Sequence, residues 1–210
     1  MRMSDYDALP SMASTSPFAA SDFAAQCITP LVLDIGCGYG RILDQLASLG
    51  LRPIGADLSM VQLQRCRPVH RGRVVMADAT RLPFADRTFG GALALGVIDS
   101  FTQESQVMSM LHECARVLAP GAPLWLNFYT VTVQFQLEQR YGELDPENPH
   151  MIRTKSGLTV RHWTVEELQG LLTPDFSISN IKATRFLSMN HAKQVSGAQM
   201  QALRSGQHDS

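Results

Sequence analysis

The run Val32-Leu33-Asp34-Ile35-Gly36-Cys37-Gly38-Tyr39-Gly40 sends an apolar stretch straight into a cluster of glycines. Where such a turn closes the first strand of an open α/β sheet, it lies at the strand's carboxyl end, the place where ligands bind. Gly36 and Gly38 let the backbone approach a ligand that any side chain would block. A helix starting there offers free N–H groups suited to an anionic group such as a carboxylate. A glycine turn alone serves nucleotides and dinucleotides equally. Here Arg41 stands where GxGxxG requires its last glycine, and no Walker lysine follows.

Two acidic residues extend the pattern. Asp57 closes Ile54-Gly55-Ala56-Asp57 roughly twenty residues beyond the glycines, where a carboxylate can accept both hydroxyls of a ribose. Asp78 follows Met76-Ala77 and is placed to accept a hydrogen bond from an adenine amino group. Taken singly, each reads as an ordinary loop carboxylate or helix cap. Taken in order, three loops at adjacent strand ends offer places for a carboxylate, a ribose and an adenine.

A sheet must hold these loops. Apolar runs predict strands over 31–35, 53–56, 73–76, 91–95 and 124–128. Helical periodicity predicts helices over 41–49, from a Ser59 cap to 67, and over 105–118. Gly50 and the pair Pro120-Gly121 stop two of them. Strand and helix in this alternation imply right-handed crossovers and a mostly parallel α/β sheet with helices on both faces. Beyond Tyr129 the chain turns polar and proline-interrupted. Thr164 then caps a helix over 165–172, and a strand follows over 177–187. The Gln-rich tail from about 191 reads as having no strand.

Composition bounds the rest. The chain has 210 residues, 45% hydrophobic and 18% charged, which suits one folded domain. A net charge of −1 offers no bulk attraction to nucleic acid, so no nucleic-acid partner is expected. Cys27, Cys37, Cys66 and Cys114 form no CxxC pair, and no metal is expected. Free thiols suit a reducing, cytoplasmic setting. No apolar run approaches the roughly 18 residues of a membrane span.

The segments DIGCGYG, GADLS, ADATRLPFADRTF and ECARVLAPGAPLWL resemble successive motifs of class I S-adenosylmethionine-dependent methyltransferases. The nearest likeness is to the branch that includes ubiquinone and menaquinone biosynthesis enzymes. Residues 78–89 resemble its "D…LPF.D..FD" pattern, with Gly90 in place of the second Asp. The resemblance spans residues 31–128 and implies a Rossmann-like sheet that binds S-adenosylmethionine. It places Asp34, Gly36 and Gly38 around the methionine part, with Arg41 assisting its carboxylate. Asp57 would hold the ribose, and Leu58 and Met60 would pack near the adenine. Asp78 and Ala79 would meet the adenine amino edge, and Gly96 and Val97 the sulfonium end.

The implied division is one methyltransferase domain over 1–210. Residues 1–29 form an N-terminal arm with a helical turn at 19–27, and 30–129 the cofactor-binding core. An acceptor-side insertion occupies 130–162, and a C-terminal helix, strand and tail occupy 163–210. That last edge reads as shortened, divergent or paired with a second subunit, which would give a homodimer.

The implied reaction is methyl transfer by in-line displacement onto O, N or C of a small molecule. RNA or protein methylation, and a non-catalytic S-adenosylmethionine-binding module, are the alternatives. Asp99 and His162 are the catalytic candidates on the acceptor side, with Tyr141 and His150 as further contacts. Arg153, Lys155 and Arg161 form a basic cluster that suits either an anionic substrate or a solvated face. Asp99 and Asn127 fall near adjacent strand ends, but no third metal ligand accompanies them.

Overall fold

A computed structural model describes residues 18–66, 68–131, 142–148, 150–154, 157–188 and 193–206. In chain order these carry α1 (Ala20–Gln26), β1 (Leu31–Ile35), α2 (Leu43–Ser48), β2 (Arg52–Asp57) and α3 (Met60–Gln64). A 3-10 segment (Pro68–Arg73) leads into β3 (Val74–Met76) and then β4 (Ala92–Leu95). A second 3-10 turn (Ile98–Ser100) precedes α4 (Glu104–Val117) and β5 (Pro123–Tyr129). The remainder holds β6 (Gly142–Leu144), β7 (Met151–Thr154), β8 (Thr159–Arg161), α5 (Val165–Leu172), β9 (Phe176–Ser188) and β10 (Lys193–Arg204).

Seven strands form one sheet in the order β3-β2-β1-β4-β5-β10-β9, while β6-β7-β8 form a second. Neighbours from β3 to β5 pair in parallel, and β10 runs antiparallel to both β5 and β9. This is the α/β architecture of class I methyltransferases, as the strand–helix rhythm predicts. The period-2 alternation of each strand sends its side chains to two separate cores. Leu33, Ala92, Ala94, Leu124 and Leu126 pack with Val107, Met110, Leu111 of α4 and Leu168, Leu172 of α5. Val32, Leu93 and Trp125 pack on the other face with Phe23, Ile42 and Leu46. Burial on both faces explains why these strands read as continuous apolar runs.

Two readings of the sequence are corrected. The Gln-rich tail is not strandless: β10 inserts between β5 and β9 and completes that edge. Ala198, Met200 and Ala202 point into the larger core, while Gln199 bonds the Asn127 side chain (Nε2 to Oδ1, 3.1 Å). The polar, proline-interrupted insertion carries the antiparallel β6-β7-β8 sheet. Helix bounds also shrink. Turns over the glycine loop delay α2 to Leu43, and the helix capped by Ser59 (Oγ accepting from Gln62 N, 3.2 Å) ends at Gln64. Residues 1–17 of the arm, Tyr141 and Lys155 lie outside the described residues.

Gly90, the departure from the resembled motif, has a steric cause. A Cβ there would stand 2.3 Å from Thr29 N and 2.6 Å from Thr29 O, where α1 hands the chain to β1. An aspartate cannot occupy this position without moving that backbone. Gly90→Ala should lower the unfolding free energy by about 1–3 kcal/mol, read from the midpoint of a urea titration. An unchanged midpoint would refute this account.

Candidate active site

A cavity of about 280 Å³ opens where the carboxyl ends of the parallel strands meet β5 and β8. Its floor is the glycine loop. Gly36 has φ +70°, and a Cβ on it would lie 2.3 Å from Val97 Cγ2, so the loops after β1 and β4 touch only because no side chain intervenes. Gly38 and Gly96 differ: a Cβ on either would meet nothing within 4 Å. Both therefore border open space inside the cavity, the room that a cofactor at this site needs.

Asp57 at the tip of β2 organises the loop. Its Oδ2 accepts from Gly38 N at 2.8 Å, and its Oδ1 accepts from Ser59 N at 2.8 Å. A carboxylate held by two backbone donors is fixed in orientation. Asp78 sits exposed at the rim and accepts from both Thr80 N and Thr80 Oγ1 at 2.8 Å. The chain beyond it is anchored by Arg116, which donates to Leu82 O, Phe84 O, Asp86 and Glu113. The Glu113 carboxyl, bonded chiefly to that guanidinium, lies below its ordinary range.

Asp34 is buried beneath these groups. Burial first, opposed by Arg41 and reinforced by Asp57, raises its pKa to about 7. Across the cavity from the glycine loop, Asp99 is 4% exposed, and its Oδ1 accepts from Tyr129 N at 2.9 Å. Burial lifts its pKa well above the ordinary carboxylate range. Tyr129, Ser100, Phe101, Leu158 and Val160 complete that wall.

Asp34, Gly36, Gly38, Arg41, Asp57, Leu58, Asp78, Ala79, Gly96, Val97 and Asp99 all line this cavity. Met60 does not. As the first residue of α3 it points outward, 44% exposed, and Gln62 two residues along the helix takes the inward place. His162 does not line the cavity either. It is fully buried and stacked on Tyr129 (centroids 5.4 Å, 22°), with Nδ1 3.4 Å from Thr130 O. Burial lowers its pKa to about 4. His150 lies beside Glu167, with Nδ1 to Oε1 at 3.5 Å. Arg161 is engaged by Glu104 and Glu167, and Arg153 is exposed. Among the described residues no His, Cys, Asp and Glu group could hold a metal ion. The wall residues Phe101, Leu158 and Val160 carried no chemical signal in the sequence, since apolar side chains near a site look like any core residue.

Residues 33–126 match the methyltransferase domain family. The fold around that match is the one that class I S-adenosylmethionine-dependent methyltransferases share. The structure resembles an S-adenosylmethionine-dependent methyltransferase from Methanosarcina mazei, with TM-score 0.71 and 25% identity, covering 83% of this chain and 92% of that one. A probable tRNA methyltransferase 9B of Mus musculus is 31% identical over 121 residues, 56% of this chain and 26% of that protein. The O-methyltransferase resE of Aspergillus sclerotiorum is 34% identical over 101 residues, 44% of this chain and 37% of that protein. The chain thus spans 26% and 37% of the length of these two curated relatives.

Two outcomes are expected in calorimetry with S-adenosylmethionine. Asp57→Ala removes the acceptor for Gly38 N and for a ribose, and affinity should fall about 100-fold. For Asp34 the sign follows from its raised pKa: below about pH 7 it is protonated in the free protein, and a cationic ligand favours the carboxylate. Affinity should therefore rise with pH up to about 7 and level off above, with proton release on binding at acid pH. A pH-independent affinity would rule out Asp34 as the responsive group.

Proposed function

We propose that this chain transfers a methyl group from S-adenosylmethionine to a small, uncharged, largely apolar acceptor. The observation that carries this reading is the charge of the cavity wall. Among the described residues, four aspartates line it against the single cation Arg41, and the acceptor side is built from Phe101, Tyr129, Leu158 and Val160. An anionic acceptor would meet no compensating charge there, whereas a planar apolar ring would lose little on leaving water. A quinone-like precursor, as the motif resemblance suggests, is one such molecule.

S-adenosylmethionine supplies the methyl group on a sulfonium sulfur and leaves as S-adenosylhomocysteine. In this reading Gly36 and Gly38 make room for the methionine part, Arg41 faces its carboxylate, and Asp57 orients the ribose. Ala79 and Leu58 flank the adenine, with Asp78 at its amino edge. Gly96 and Val97 border the reacting centre. Asp99 is the one titratable carboxyl on the acceptor wall, so we assign it the proton of an O–H or N–H nucleophile. Its high proton affinity in the buried state suits that role. His162 is sealed behind Tyr129 and is assigned no proton transfer. The acceptor wall excludes water and aligns the nucleophile, the main protein contribution in such a displacement.

A second reading, methylation of RNA, rests on the 31% identity to the probable tRNA methyltransferase. One experiment separates them. The protein is incubated with methyl-tritiated S-adenosylmethionine and, separately, a metabolite extract or total tRNA. Label is expected in the metabolite fraction, with Asp99→Asn reducing it about 100-fold or more while cofactor affinity stays near that of the unaltered chain. Label in tRNA alone would overturn the small-acceptor reading. Binding without transfer to either would support a non-catalytic module.

A further inference from the structure

Arg161 ends β8, one residue beyond Val160 of the cavity wall, yet it does not itself line the cavity. It is 9% exposed. Its Nη2 donates to Glu104 Oε1 at 3.1 Å and to Glu167 Oε1 at 3.0 Å, and its guanidinium lies 3.8 Å over the Trp163 ring. Each partner belongs to a different element. Glu104 opens α4 directly after Ser100 and Phe101, which line the opposite side of the same wall. Glu167 completes the capping box of α5, where its Oε2 accepts from Thr164 N at 2.7 Å. Trp163 N in turn donates to Tyr129 O at 3.1 Å, at the end of β5.

One side chain thus joins four segments that each bring a residue to the acceptor wall or support one. The arrangement is costly as a source of stability. Arg161 Nε and Trp163 Nε1 are buried and find no acceptor among the described residues. A buried charged group with an unmet donor adds less to stability than a well-packed apolar side chain would. What it does supply is a fixed geometry: Nη2 bonds both carboxylates with its two in-plane N–H groups while the planar fork stacks on Trp163, and the three contacts together set one orientation.

We propose that Arg161 is a positioning residue: its bridge to Glu104 and Glu167, stacked on Trp163, fixes the acceptor-side wall, while the cofactor loops stand without it. This rests on reading that wall as the acceptor side. The test is amide hydrogen exchange of the full chain with Arg161→Met and Arg161→Lys, beside calorimetry with S-adenosylmethionine. In Arg161→Met, exchange over 151–154, 159–161 and 100–104 should quicken about tenfold or more. Exchange over 31–35 and 52–57, and the cofactor affinity, should not change. Lysine reaches one carboxylate without the fork, so Arg161→Lys should restore part of the protection.

Because Arg161→Met alone leaves two carboxylates uncompensated, a second variant adds Glu104→Gln and Glu167→Gln. Glutamine serves the capping box as glutamate does, so this form should fold and show the same local loosening. Unchanged exchange in both variants, or a loss of protection spread evenly over the seven-stranded sheet, would overturn the proposal. Failure of the unaltered chain to bind S-adenosylmethionine would instead sink the functional reading, and the exchange data would still decide the clamp.

Discussion

The site depends on one carboxylate shared between two backbone donors. Asp57 holds Gly38 N and Ser59 N at 2.8 Å each, so the glycine loop, the tip of β2 and the start of α3 are fixed by a single side chain. Neither N–H lies within a strand ladder, and each needs an acceptor if the loop is to stay folded over a cavity. The same carboxylate bears on its neighbours. Asp34, buried beside it with Arg41 as the nearby cation, is pushed up to about 7. The cavity therefore favours a cationic ligand, and its charge shapes what can bind as much as its outline does.

The wall around Asp99 and Tyr129 is held by a different chemistry. Asp99 accepts from the backbone of Tyr129, Tyr129 stacks on His162, and Arg161 gathers α4, α5 and β8 around Trp163. These groups are buried, and burial disfavours their charged forms: Asp99 and the Tyr129 phenol are pushed up, and His162 is pushed down to about 4. The two sides of the cavity thus differ, with aspartates and glycines on one and apolar side chains beside Asp99 on the other.

Most of the cofactor half was legible in the chain. Glycines, aspartates and the turns that place them are local features, and a strand followed by a glycine turn fixes its own geometry within a few residues. Met60 shows the limit. The family resemblance placed it near the adenine, but the rotation of a five-residue helix turned it outward and brought Gln62 inward. His162 shows another. A histidine beside a tryptophan looked accessible in a polar stretch, whereas tertiary packing placed it wholly inside.

By itself the sequence determined the α/β class, the first five strands and the glycine and aspartate turns at their carboxyl ends, because apolar periodicity and glycine turns act over short range. Only the tertiary structure decided the far edge and the acceptor wall. Ala198, Met200 and Ala202 are weak strand formers. They become a central strand because β5 and β9 pair with both sides of the backbone and the core takes one face. Phe101 and Val160 reach one cavity, and Arg161 reaches Glu104, only through contacts between elements far apart in the chain, and no local pattern encodes such a meeting.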